Sequence, residues 1–343
     1  MDSQKSQLMR IFAFTALTLV LSIFIQNSAL SQENEFEPHG GAFATIFANF
    51  HQGISGNAKE LAAFELVRGY IGYEYYLSPE FYAKVNVDIG SPEDLSPYSK
   101  LRRYAYFKNA YLQYRKSGLT VEFGLIGLKQ FNLQEKIWER RYLMKTLADE
   151  YRFGSSADLG VNFNYAFNNY IDVDFTIMNG EGYNSLQTDN IFKYGVGTTI
   201  KFPKNFTYHV FYDIVHNTVS ETTWLFFASY DFNKRWDISG EYVIRTNEGW
   251  KENHNRTGLS VYGKYNINPK YQLFARYDVV KSSILAGENT PWDLSDDGTA
   301  LVAGIQFAPI KNIKIALNYH DWYPWAANAE GGGFIFLDLE VKI

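Results

Sequence analysis

Cysteine is absent from the whole 343-residue chain. That excludes a disulfide-stapled scaffold and any thiolate metal site, and it suits a protein that crosses an oxidising compartment unfolded. Long apolar runs are also missing after Gln32: no stretch approaches 18 residues, so the mature chain is expected to carry no transmembrane helix. A basic surplus is missing as well. The formal net charge is −5, which argues against nucleic acid as a partner. The first 31 residues are of a different kind. Lys5 and Arg10 precede an uncharged apolar run from Ile11 to Ile25, and Ala29-Leu30-Ser31 supplies a small-x-small site. This reads as a secretory signal peptide (1–31) cut before Gln32, leaving 32–343 as one domain.

What the chain has in abundance is aromatic side chains: 26 Tyr, 27 Phe and 7 Trp, 17% of residues. The mean hydropathy is nevertheless −0.26. Many aromatics in a chain of modest hydropathy fit strands with one apolar and one polar face, and composition alone leaves a soluble sandwich or propeller open. The hydrophobic period is two. Ile171, Val173, Phe175 and Ile177 interleave with Asp172, Asp174 and Thr176; Tyr271, Leu273, Ala275, Tyr277 and Val279 interleave with Gln272, Phe274, Arg276 and Asp278. Segments of this kind fall near 40–51, 62–77, 80–89, 103–116, 118–127, 156–167, 169–178, 190–202, 205–215, 221–232, 235–246, 256–267, 270–281, 298–308, 311–320 and 333–343. The second and fourth are the least regular.

The connections alternate short and long. Lys116-Ser117-Gly118, Asn168-Asn169, Asn233-Lys234 and Asn268-Pro269 are tight turns, whereas 128–155 and 282–297 are long. A sandwich has no reason for this alternation, and a propeller should show a long repeat. The expectation is an all-β transmembrane antiparallel barrel of about 16 strands, with short turns on one side and long loops on the other. In lipid such a sheet must close, so Phe334 to Ile343 is expected to pair with Gly41 to Phe50. Phe81, Tyr170, Phe206, Trp236, Tyr271 and Phe307 stand near strand ends, where aromatics form interfacial girdles or pack as ordinary sheet neighbours.

The face opposite the apolar one is charged and mixed in sign. Glu122, Asp172, Asp174, Asp213, Arg245 and Arg276 are its clearest members. Such density needs water or partners, and a barrel of about 16 strands is wide enough for a wet lumen. Residues 128–155 form the longest connection and read as partly helical, with Leu133, Ile137, Met144 and Ala148 near one face. They carry Lys129, Lys136, Arg140, Arg141, Lys145 and Arg152 against Glu135, Glu139, Asp149 and Glu150. Folded inward, this third long loop narrows a pore and lines it with Lys136, Arg140, Arg141 and Lys145, facing the acidic wall; left outside, it is a solvated loop. Cationic linings favour anions.

The runs Leu133-Gln134-Glu135-Lys136-Ile137-Trp138-Glu139-Arg140-Arg141-Tyr142, Lys145-Thr146-Leu147-Ala148-Asp149 and Ser155-Ser156-Ala157-Asp158-Leu159-Gly160-Val161 resemble the porins related to the phosphate-selective O and P type, in the form found in Bacteroidota-like bacteria. The likeness is loose over the barrel and specific around 123–162. It implies an outer-membrane diffusion channel for small hydrophilic solutes or ions, anions such as phosphate among them. It also implies a homotrimer in outer-membrane lipid, with loop three at the constriction and Arg140, Arg141 and Lys145 at the basic positions of the motif. A dense inward ladder of Arg and Lys is not evident.

No enzyme motif emerges, and no cofactor or metal is expected. The six His residues (His39, His51, His209, His216, His254, His320) lie on scattered segments. Glu288, Asp293, Asp296 and Asp297 gather in one loop without the order of a calcium loop. Trp322, Tyr323 and Trp325 are read as loop aromatics that stack on sugars or pack on a neighbouring loop. The rival reading is an adhesion or structural barrel whose outer loops bind a partner.

Overall fold

The computed structural model describes residues 36–90 and 104–343. The expected signal peptide and most of the connection at 90–102 lie outside the described residues. One compact unit spans Pro38–Ile343. Its strands are β1 (His39–Gly53), β2 (Ala62–Tyr76), β3 (Phe81–Gly90), β4 (Tyr104–Lys116), β5 (Leu119–Gly127), β6 (Ala157–Ala166), β7 (Ile171–Met178) and β8 (Lys193–Phe202). They continue as β9 (Phe206–His216), β10 (Ser220–Phe232), β11 (Trp236–Thr246), β12 (Arg256–Asn268), β13 (Tyr271–Ser282), β14 (Gly298–Ile310), β15 (Ile313–Pro324) and β16 (Phe334–Lys342). Each pairs antiparallel with its chain neighbours, and β16 pairs with β1, setting Phe47 opposite Glu340 and closing the barrel. Closure leaves no unpaired edge, as a sheet in lipid requires.

The short connections are built by local chemistry. Asn233 and Lys234 have φ of 57° and 58°, and Lys204 and Asn205 have 69° and 61°, the left-handed pairs of a two-residue hairpin turn. Asn168 and Asn268 use another device: each side-chain oxygen accepts the backbone N–H of the second and third residues beyond it, at 2.8–3.1 Å. The rim on this side is aromatic. Phe81 meets Tyr114, Phe202 meets Phe206, Trp236 meets Tyr265 and Tyr271 meets Phe307, with ring centroids 4.2–5.4 Å apart. These rings are therefore cross-strand neighbours as well as rim residues.

The outer face is apolar and open: Phe123, Ile238, Leu273 and Leu317 point away from the barrel. The inner face departs from the sequence expectation. It carries charge, but also Phe211, Leu225, Phe227, Val243, Tyr262, Phe274, Val280 and Val302, all buried. They join Phe131, Trp138, Tyr142, Leu147, Ala148 and Phe153 of the third loop in one apolar cluster. A hydrophobic core thus fills part of the lumen. A second departure concerns β15, which runs on to Pro324, so that Trp322 and Tyr323 belong to a strand. Trp322 packs against Tyr151 of the third loop at 5.8 Å.

Candidate pore constriction

The third loop leaves β5, forms helix α1 (Lys129–Trp138), passes through an irregular stretch, forms the single turn α2 (Leu147–Glu150) and returns to β6. Gln130, Phe131, Gln134 and Trp138 are the buried face of α1. Of the expected face, Ala148 is fully buried in the cluster, whereas Leu133 and Ile137 of the helix and Met144 beyond it are only partly buried against it, so the helix is rotated from the expected face. The helix ends where Glu139 takes φ 58°, and its N–H bonds the Glu135 carbonyl at 3.0 Å. A left-handed non-glycine residue is uncommon. Two wall lysines hold it: Lys264 bonds the Glu139 carboxylate and Lys314 its carbonyl, each at 2.9 Å.

Further bonds fix the loop to one sector of the wall. Arg140 is 1% exposed. Its guanidinium bonds the Trp138 carbonyl at 3.1 Å and Gln272 at 2.7 Å, and lies over the Phe274 ring. Tyr142 donates to Gln306 at 2.9 Å, and Tyr151 to Asp278 at 3.0 Å. Arg276 forms a forked, fully buried pair with Asp278, its closest contact 2.6 Å, and also donates to the Lys145 carbonyl. Arg245 donates to the carbonyls of Arg152 and Phe153. Arg140, Arg245 and Arg276, expected at the constriction or on a wet wall, are thus anchors. The reason is geometric: the carbonyls of Trp138, Lys145, Arg152 and Phe153 lie at irregular points of the loop and take guanidinium donors, and a buried carbonyl without a partner is costly.

Cations of the loop and the wall, Arg245 among them, also surround open space. A cavity of about 420 Å³ on the long-loop side is lined by Arg68, Arg141, Lys145, Arg152, Lys193 and Arg245 against three carboxylates, Asp149, Glu181 and Glu221. A second, of about 530 Å³, lies toward the short-turn side, with Lys136, Arg141, Lys314 and Lys342 against Glu135, Glu139 and Glu340. Arg141 lines both. Its guanidinium pairs with Asp149 at 2.7 Å and with Glu135, and its Nε bonds the Tyr70 hydroxyl at 3.2 Å. Tyr70 also accepts from Arg68 at 3.3 Å; Arg68 faces Asp88 at 3.5 Å, and Tyr183 donates to Asp88 at 3.0 Å. A polar chain therefore crosses from the loop to β2, β3 and the β7–β8 connection.

The two acids on Arg141 are shifted in opposite directions. Burial pushes the Glu135 carboxyl up, more than Arg141 pulls it down. Burial acts the same way on Asp149, but there Arg141, Lys145 and Lys108 outweigh it and the carboxyl is held below its ordinary value.

The expected acidic wall lies elsewhere. Glu122 pairs with Lys129 at the loop's start (3.0 Å), Asp172 with Lys201 (3.6 Å) and Asp213 with Lys193 (3.8 Å), while Asp174 is buried. None of the four faces Arg141. Among the described residues its acidic partners, Glu135 and Asp149, come from its own loop, and across the gap stand Arg68 and Tyr70. Both belong to β2, whose register breaks at a bulge opposite Phe47 and Ala48. Phe64 and Leu66 point outward, and the bulge between Leu66 and Arg68 shifts the alternation so that Arg68 and Tyr70 point inward.

No family model and no curated protein matches the sequence. Solved structures do share the fold. OmpF of Salmonella typhi, in complex with daunomycin, aligns at TM-score 0.67 and 11% identity over 88% of this chain and 97% of its own. The outer membrane channel DcaP of Acinetobacter baumannii aligns at 0.66 and 11% identity, over 92% and 100%. An anion-selective porin from Comamonas acidovorans aligns at 0.64 and 9% identity, over 90% and 100%. At such identities the likeness is one of fold, and the fold is that of an outer-membrane channel barrel.

Proposed function

We propose that this protein is a porin of the bacterial outer membrane, passing small hydrophilic solutes by diffusion through a wet lumen with a preference for anions. The observation that carries this reading is the position of Arg141, shared by two cavities that, among the described residues, each hold more cations than carboxylates. Wall charge sets ion preference in a water-filled path, and the excess here is positive. The anion preference stated in the name of the Comamonas acidovorans porin points the same way. In this reading Arg141 and Lys145, with Lys136 below them, set the constriction. The cations come from several elements rather than forming one ladder, so the preference is for small anions as a class, phosphate included. The resemblance to porins supports assembly as a homotrimer, which analytical ultracentrifugation of the detergent-solubilised protein checks. Swelling of proteoliposomes in isotonic solutions of graded solutes tests the pore. Entry of small sugars and exclusion of larger ones is the expected result; no swelling from correctly folded barrels overturns the reading and favours the adhesion barrel.

A further inference from the structure

The rim of short turns is positive over one half of the barrel. Four consecutive turns carry the charge: Lys204 between β8 and β9, Lys234 and Arg235 between β10 and β11, Lys270 between β12 and β13, and Lys311 between β14 and β15. All five side chains are exposed. Successive turns lie two strands apart, about 10 Å along the rim, so the cations form one arc. Among the described residues, none of the five has a carboxylate within ion-pair distance. The nearby acids face the lumen: Asp231 and Asp237 alternate with the outward Phe232 and Trp236, and the Asp231 carboxylate accepts the Lys234 N–H at 2.6 Å. The turns between β2 and β7 differ. Lys116 is answered by Glu80 at 3.6 Å, Arg115 stands next to the outward Tyr114 and so takes the inward register, and the β6–β7 turn is Asn168-Asn169.

The arc stands at the depth of lipid headgroups. Phe202, Phe206, Trp236, Tyr265, Tyr271 and Phe307 form the aromatic rim beside it, and outward rings of this kind mark the boundary between membrane and water. Arg235 joins the two features: its guanidinium lies over the Tyr265 ring at 5.4 Å, which holds that charge on the lipid side of its turn. A lysine at this depth keeps its ammonium in the headgroup layer while its stem lies along apolar surface. We propose that this arc binds anionic phospholipid, the phosphate of a net-negative headgroup meeting Lys204, Lys234, Arg235, Lys270 or Lys311. A zwitterionic headgroup gains less, because its phosphate arrives already compensated by its own ammonium. Attraction summed over several exposed cations is what holds basic segments to anionic membrane surfaces. Anionic lipid therefore collects along β8 to β15 and not along β2 to β7. The proposal concerns lipid outside the barrel and stands whichever ions the lumen prefers.

The test uses the full barrel in phosphatidylcholine vesicles and exploits the absence of cysteine. A bimane label is placed at Ile267→Cys, beside the β12–β13 turn, or at Phe167→Cys, beside the β6–β7 turn; the native side chains are 45% and 64% exposed. A fixed fraction of the lipid is replaced by phosphatidylglycerol or phosphatidylcholine carrying the same brominated acyl chains, which quench the label on contact. At Ile267→Cys the phosphatidylglycerol is expected to be enriched about threefold over the phosphatidylcholine, the order set by a few exposed cations. At Phe167→Cys the two lipids are expected to quench alike. Neutralising the arc with Lys204→Asn, Lys234→Asn, Arg235→Gln, Lys270→Gln and Lys311→Gln is expected to bring Ile267→Cys to the same equality; Asn suits the left-handed backbone of Lys204 and Lys234. Equal quenching by the two lipids at Ile267→Cys, the same phosphatidylglycerol preference at both sites, or a preference that survives neutralisation overturns the proposal. If the neutralised barrel fails to fold, the comparison of the two labelled sites decides the question alone.

Discussion

The Nε of Arg141 lies 3.2 Å from the hydroxyl of Tyr70, joining the third loop to the opposite wall of the barrel. The contact places a guanidinium at the boundary between two cavities and leaves its two carboxylate partners, Glu135 and Asp149, on the loop itself. The selectivity of the path therefore depends on a balance among neighbouring groups rather than on a ring of like charge.

That balance responds to pH. Burial raises the Glu135 carboxyl above its ordinary value, whereas Arg141, Lys145 and Lys108 lower that of Asp149. As pH falls, Glu135 takes its proton first. The path then loses a negative charge while Arg141 keeps its own, so anion preference rises on acidification. Reversal potentials at neutral and mildly acidic pH check this. Glu135→Gln is expected to show the acid-side preference already at neutral pH and to lose most of the pH response.

The buried pair of Arg276 and Asp278 carries a stability prediction. Both side chains are almost fully excluded from solvent, and Arg276 also holds the Lys145 carbonyl. Removing one partner strands a buried charge, at a cost of about 3–5 kcal/mol. Arg276→Ala should lower the urea midpoint of the reconstituted barrel accordingly and increase current noise as the loop loosens. Arg276→Met combined with Asp278→Leu should recover most of the loss.

The absence of cysteine makes facing directly measurable. Lys136 is exposed on the cavity toward the short-turn side, whereas Phe64 points outward and is 87% exposed. Lys136→Cys should react with a charged methanethiosulfonate reagent added to the water, with a stepwise fall in current. Phe64→Cys in the bilayer should leave the current unchanged under the same reagent. A silent Lys136→Cys would remove that position from the path.

Much of the barrel was legible in the sequence because strand period and turn chemistry are local. Asn233-Lys234 and Asn168-Asn169 marked turns, and the alternation from Tyr271 to Val279 sorted outward from inward residues correctly. The loop core was harder to see because apolar residues were assigned to lipid by default. One signal was present: Trp224-Leu225-Phe226-Phe227 is apolar on both faces of β10, the pattern of a strand covered on both sides. Leu225 and Phe227 are indeed the buried inner pair. The wall opposite Arg141 was not legible. Arg68 follows a bulge, and which carboxylate meets which cation depends on a loop path that no local pattern encodes. Arg140 illustrates the limit: its charge suggested water, yet its place between Phe274 and Gln272 makes it an anchor.

The central claim is that the charges around Arg141 govern passage through this barrel. It is tested most directly by single-channel recording in a KCl gradient, comparing the wild type with Arg141→Gln. The account predicts steady ohmic steps with an anion-favouring reversal potential, and a fall of about threefold in the anion-to-cation permeability ratio on substitution, the order of kT expected from one charge beside a wet path. A cation-favouring potential in the wild type, or a potential indifferent to Arg141, would contradict it.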